Sequence, residues 1–308
     1  MNGNYFSALK PVFFGLIALI CLHSAHAGAA PLRLTVVLSE QGGAYQEYSN
    51  ALSGQLAGKN VTLTVADPAK PLPDADLVIA AGMKAAMGVA RTRPAAMLAV
   101  LVPKDGFALL LNDLPAPAKS AASSYSAIYL DQPLKRQLDL IAAVLPKTGT
   151  IGVLYAAPTK EIVALRVAAA ARKFELNERS VISASNLHSA LQELLISSDV
   201  LLAMPDAEIY NTSTIRNILL ATYRNKVPLI GFSPGYVKAG ALCAVYSTPE
   251  QIAAQSLGII QEFAEKHVLP AAQYAKAFEV SVNEQVARSL GINIRNVSQI
   301  RSEIGITP

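Results

Sequence analysis

The chain alternates short apolar runs with segments of helical period. The first run covers residues 32–38, and Gly42-Gly43 then leads into a helical pattern over 44–56. Further runs lie at 61–65, at 77–81 and at 96–102. The second of these closes on Gly82 before a helical pattern over 83–91, and the third stops at Pro103. They are apolar throughout rather than alternating, as expected of strands covered on both faces by helices. Repeated β–α units of this length predict a parallel sheet with right-handed crossovers. Residues 107–124 are less regular. Leu109–Leu111 is expected as an edge strand, and the Ala/Pro/Ser stretch after it as a loop. A new cycle begins at 127–130, breaks at Asp131-Gln132-Pro133, and continues as an amphipathic helix over 134–145, ended by Pro146.

The second half repeats the pattern. Strands are expected at 150–155, 180–182, 200–204 and 228–232, with helices at 159–173, 187–195 and 212–223. Leu187, Leu191 and Leu194 recur at helical spacing. A further run starts at 242–245, and Thr248-Pro249 is a good helix start, a capping hydroxyl before Pro at the first helical position. Ile252, Ile259, Ile260 and Phe263 share one face of that helix. A strand at 277–282 and a short helix at 283–290 close the pattern. Each half therefore predicts one doubly wound α/β lobe. No Gly/Ser linker separates the halves, so ordered segments are expected to cross between lobes, near Asp131-Gln132, Tyr246-Ser247 and 280–282. The expected division is 28–130 with about 248–276 in an N-terminal lobe, and 131–247 with about 277–308 in a C-terminal lobe.

The first 27 residues change the picture from fold to address. Lys10 precedes an apolar run from Val12 to Leu22, and Ala25-His26-Ala27 supplies a small–x–small cleavage pattern. This reads as a secretory signal peptide cleaved after Ala27, which places the protein in the periplasm. The run is short for a bilayer span and lacks a basic stop-transfer flank; an uncleaved anchor is the other reading. Cys21 raises a lipoprotein alternative, but Ile20 stands where a lipobox needs a small residue. Removing the leader leaves about 280 residues, long for one core and typical of two lobes.

The 26 Lys/Arg and 22 Asp/Glu give a net charge of +4. With no basic block, this argues against nucleic acid as a partner. Cys243 is the only cysteine outside the leader, so no intrachain disulfide staples the fold and Cys243 is expected as buried packing.

Catalytic chemistry finds little. His188 and His267 are the only histidines beyond the leader, neither at metal-ligand spacing, and no P-loop or dinucleotide fingerprint is present. Gly231-Phe232-Ser233-Pro234-Gly235 formally matches G-x-S-x-G after a strand. In hydrolases of that motif the residue after the nucleophile donates its N–H to the oxyanion, and Pro234 has none. Neither a catalytic residue nor a cofactor or metal is expected. Open α/β sheets bind ligands at strand C-termini. The first lobe offers Ser39, Gly42, Gly82 and Met83 there. The second offers Tyr155, Asp206, Tyr210, Asn211, Ser233 and Tyr236. Gly residues before helices let a ligand carboxylate approach backbone N–H groups at the positive helix end. Asp206 can face an ammonium or hydroxyl, and the tyrosines can flank an apolar ring. Capping and turn-making are equally good readings of each residue taken alone.

Several ordered motifs share a source. Ser198-Asp199-Val200-Leu201-Leu202-Ala203-Met204-Pro205-Asp206, Val227-Pro228-Leu229-Ile230-Gly231-Phe232-Ser233 and Tyr236-Val237-Lys238-Ala239-Gly240-Ala241 succeed one another. Val282-Asn283 with Ala287-Arg288-Ser289-Leu290-Gly291-Ile292 comes after them, and Leu145-Pro146 with 150–155 before. Over roughly 131–294 this order resembles the ABC-transporter substrate-binding family that includes tryptophan/tyrosine-type binding proteins. The first lobe departs from it: Pro103-Lys104-Asp105-Gly106 stands where the family has a DP-hydrophobic motif. The resemblance implies two flavodoxin-like lobes in the type I periplasmic binding protein architecture, closing by a hinge on a small molecule and docking on an inner-membrane ABC permease. It favours an amino acid or related carboxylate as ligand and a monomer as the working unit. A periplasmic sensor subunit reporting to a membrane receptor is the alternative with the same fold. An esterase acting through Ser233 is the third reading.

Overall fold

The computed structural model describes residues 30–66, 71–114, 124–183 and 185–305. The leader with its expected cleavage point, Cys21 and residues 115–123 lie outside the described residues.

Two six-stranded sheets form, each doubly wound as the alternation of runs predicts. The first contains β1 (Leu32–Leu38), β2 (Val61–Ala66), β3 (Leu77–Ala81), β4 (Met97–Val102), β5 (Tyr125–Tyr129) and the short β11 (Gln273–Tyr274). Its order is β2-β1-β3-β4-β5-β11, all parallel. The second contains β6 (Thr150–Tyr155), β7 (Glu175–Ser180), β8 (Val200–Leu202), β9 (Leu229–Gly231), β10 (Cys243–Tyr246) and β12 (Glu279–Val282). Its order is β7-β6-β8-β9-β10-β12, with only β12 antiparallel. Both sheets thus share the flavodoxin-type order, and each has a switch point, at β1/β3 and at β6/β8.

The uninterrupted apolar runs feed two cores each. In β3, Leu77, Ile79 and Ala81 face one cluster while Val78 and Ala80 face the other. In the second sheet Val200 and Leu202 face one cluster and Leu201 and Ala203 the other. Such period-two division needs helices on both sides. In the first lobe these include α1 (Gly43–Leu56), α2 (Met83–Thr92), α3 (Lys104–Asp113) and α9 (Pro249–Lys266). The chain between β5 and β10 contributes α4 (Leu134–Val144), α5 (Lys160–Ala171), α6 (Leu187–Ile196), α7 (Ile215–Arg224) and α8 (Pro234–Ala239), and α10 (Glu284–Ser289) and α11 (Val297–Gly305) come after β12. Thr248 and Gln251 form a capping box at the start of α9. That helix returns to the first lobe, where the Tyr48 hydroxyl of α1 donates to Ser256 Oγ at 2.9 Å in the buried interface. Cys243 is buried in β10, as expected, and burial pushes its thiol well above the usual range.

Three expectations are corrected. Leu109–Leu111 lies in α3 rather than in an edge strand. Phe107, Leu110, Leu111 and Leu114 recur at i, i+3, i+4 and i+7 and pack on one core, a helical face. The strand expected at 180–182 is β7, at Glu175–Ser180; its polar sequence suits an outer strand whose charges blunt the open edge. The third crossing precedes 280–282, because Val280 and Val282 already pair with β10; the chain passes between the sheets after β11 ends at Tyr274.

Buried polar groups tie the three crossings together. Gln132 Nε2 donates to Ser247 Oγ at 2.9 Å, and Ser247 Oγ donates to the Ala277 carbonyl at 2.6 Å. Gln137 Nε2 donates to the Gln132 carbonyl at 2.7 Å. One hydrogen-bonded chain therefore runs through all three connecting segments.

Candidate functional site

A cavity of about 280 Å³ opens between the two sheets, at the C-terminal ends of their strands. From the first lobe it is bounded by Met83 at the start of α2 and by Pro103, Asp105, Gly106 and Leu109 around the start of α3. From the second come Tyr155, the loop after β6, the first turn of α5 and the segment from Met204 to Glu208 after β8. Asp131, at the first crossing, lies where the two contributions meet.

A local irregularity aims α3 at this space. Between Val100 and Val102 the register of β4 slips by one residue against β5, and Leu101 adopts φ 55°. Such a bulge bends a strand and redirects the segment beyond it, and a left-handed Leu is strained unless its surroundings fix it. Here Leu101 is buried in the core. Pro103 then opens α3, and the Lys104 N–H donates to Asp131 Oδ2 at 2.6 Å.

Asp131 is 5% exposed. Burial pushes its carboxyl up to about 6; the Lys104 N–H opposes the rise, while Glu161 and Asp105 add to it. The Lys104 side chain reaches across the lobes. Its Nζ lies 2.6 Å from Glu161 Oε2 in α5 and donates to the Tyr274 hydroxyl at 2.9 Å. That hydroxyl donates to Glu161 Oε1 at 3.2 Å. Partial burial disfavours the Lys104 ammonium, but Glu161 and Tyr274 outweigh it and keep it protonated above its ordinary range.

Of the residues expected from strand ends, Met83, Tyr155 and Asp206 reach the cavity. Asp206 spans the second switch point: Oδ2 accepts from the Ala156 N–H at 3.1 Å and Oδ1 from the Glu208 N–H at 3.0 Å. The other expected residues are placed elsewhere. Ser39 Oγ accepts from the Ala85 N–H at 3.0 Å, capping α2. Gly82 sits against it at φ +89°, where a Cβ would come within 2.5 Å of Ser39 Oγ, so this close packing requires glycine. Gly42 is exposed at the start of α1. Asn211 builds the turn before α7, its Oδ1 accepting from the Ser213 N–H at 3.0 Å. Tyr210, Phe232 and Tyr236 pack on one another, and the Tyr236 hydroxyl donates to the Tyr210 carbonyl. Ser233 precedes Pro234 at the start of α8, while His267 ends α9, which packs in the core of the other lobe. The structure thus does not give the G-x-S-x-G serine a histidine partner from that helix.

Sequence reasoning missed Asp105, Asp131 and Glu161. Asp131 and Asp105 lie just past the strands β5 and β4, so the strand-end rule reaches them once β4 and β5 are recognised as neighbours. Glu161 lies two residues into the helix after β6, beyond Thr159, whose Oγ1 caps α5 by accepting from the Ile162 N–H at 3.3 Å.

The family model described as ABC transporter substrate binding protein matches residues 73–301. A search of curated proteins found no match. Among solved structures, a conserved domain protein from Vibrio cholerae O1 biovar El Tor superposes with a TM-score of 0.65 at 21% identity, covering 89% of this chain and 98% of that one. An ABC domain from Streptococcus pneumoniae, in complex with L-Trp, gives 0.65 at 18% identity, with 88% and 98% covered. The ligand-free, open form of a substrate-binding protein with adhesive properties from Clostridium difficile gives 0.63 at 15% identity, with 86% and 96% covered.

Proposed function

Because the chain belongs to the ABC transporter substrate-binding protein family, we propose that it captures a small organic solute in the periplasm, in the cavity between its lobes, and delivers it to a membrane permease. The observation that carries this reading is the cavity itself: about 280 Å³, formed by the strand ends of both sheets, with the three crossings joined by the Gln132–Ser247–Ala277 chain. A hinge of few, hydrogen-bonded segments lets two rigid lobes close on a ligand. Met83, Leu109, Tyr155 and Ile162 supply an apolar body contact, and the carboxylates around them supply orientation. The protein works as a monomer, and its leader is removed after Ala27. No bond-making residue is required of such a site.

The test is a melting-temperature screen of the protein against amino acids, amines, small carboxylates, nucleosides and sugars. A ligand binding only the folded state at 100-fold its dissociation constant adds about 2.7 kcal/mol of stability. Ala157 lines the cavity and is exposed, so Ala157→Trp fills the space without disturbing a core. Capture predicts a shift with one compound class that Ala157→Trp abolishes. No shift with any class, or a shift that survives the substitution, contradicts it.

A further inference from the structure

Among the described residues, the lining of the interlobe cavity carries five carboxylates, Asp105, Asp131, Glu161, Asp206 and Glu208, and no Lys, Arg or His. The neighbouring ammonium of Lys104 is held by Glu161 and Tyr274, and that pair cancels one of the five charges. A ligand carboxylate would therefore need backbone N–H groups at helix starts, the usual anion receptors. Three helices begin at this cavity, and in each an oxygen of the protein itself takes an N–H of the first turn. Ser39 takes that of Ala85 in α2, Asp131 that of Lys104 in α3, and Thr159 that of Ile162 in α5. One first-turn N–H of each helix is thus taken by the protein itself, and the charged side chains that reach the cavity are all negative.

Resting on the capture reading above, we propose that the cleft selects an organic cation: a protonated amine on a compact apolar body, carrying no carboxylate. The remaining walls fit that body, since Met83, Leu109, Leu154, Ile162 and Met204 are apolar. The volume corresponds to roughly nine waters at about 30 Å³ each, room for a small amine. A metal cation fits less well. Among the described residues no three His, Cys, Asp or Glu side chains converge as a metal ligand set. The carboxylates are spread around the cavity from both lobes, so an ammonium meets one or two of them at a time, in a partly enclosed site where charges are screened little.

Calorimetric titration of the protein at pH 7.5 with matched triplets tests this: an amine, the carboxylate of the same skeleton, and the corresponding α-amino acid. Phenethylamine, 3-phenylpropionate and phenylalanine form one triplet, and aliphatic triplets of similar size complete the set. At least one amine is expected to bind tenfold or more tightly than its carboxylate and its amino acid. Asp105→Asn should weaken that amine three- to tenfold. A carboxylate or amino acid binding as tightly as the matched amine overturns the cation selection and leaves solute capture standing. An amine affinity unchanged by Asp105→Asn also overturns it. Absence of binding by every member of every triplet overturns this proposal; if the wider screen then finds a nucleoside or sugar, capture survives without it.

Discussion

Lys104 and Glu161 join the two lobes beside the cavity, Nζ to Oε2 at 2.6 Å, with the Tyr274 hydroxyl bonded to both. The Glu161 side chain is 5% exposed and the Lys104 side chain 36%, so the pair is unequally buried. Removing one partner leaves a charge behind, and the loss then exceeds the worth of the pair. A double-mutant cycle with Lys104→Met and Glu161→Gln, read by urea unfolding, is expected to show a coupling of about 1–2 kcal/mol, within the range for contacting charged residues. A coupling near zero contradicts an interlobe tie.

Asp131 makes stability depend on pH in a known direction. Burial pushes its carboxyl up to about 6 in the fold, against ~3.9 in an unfolded chain. The folded state therefore holds the proton more tightly. The resulting stabilisation is complete below about pH 4 and is lost as pH rises through 6. Asp131→Asn retains an acceptor for the Lys104 N–H and has no such dependence. Between pH 4 and 7.5 the variant should gain on the parent by on the order of 2–3 kcal/mol in urea unfolding. A stability difference that stays constant over that range contradicts the raised carboxyl.

Ser247 holds two crossings to the third through a single hydroxyl. Ser247→Ala leaves the buried Gln132 amide without its acceptor and the Ala277 carbonyl without that donor. The expected loss is about 1–3 kcal/mol, the cost of unsatisfied buried polar groups. An unchanged unfolding midpoint contradicts a structural role for this chain at the hinge.

Much of the fold was legible because strands such as β3 and β4 are buried on both faces and leave unbroken apolar runs. The same criterion misplaced β7, where Glu175, Glu178 and Arg179 interrupt any apolar run, and passed over β11, which is two residues long. It also misread α3, whose core face of Phe107, Leu110 and Leu111 includes an apolar triplet that looks like a strand when taken alone. The cavity lining was legible at the strand ends that carry Met83, Tyr155 and Asp206. It was not at Asp131 and Glu161, whose significance lies in contacts between lobes distant along the chain. Lys104 and Glu161 are 57 residues apart, beyond any local pattern. Ser39 and Gly82 sit at a strand end as expected, but the first switch point closes on itself through their packing and the Ala85 cap.

Small-angle X-ray scattering shows whether the lobes close on a solute held between them, using the compound that raises the melting temperature most. The radius of gyration of the protein should fall at saturating ligand and stay constant in Ala157→Trp under the same conditions. Saturable binding with no change in the radius of gyration, or an equal contraction in Ala157→Trp, would contradict capture by hinge closure at this cavity.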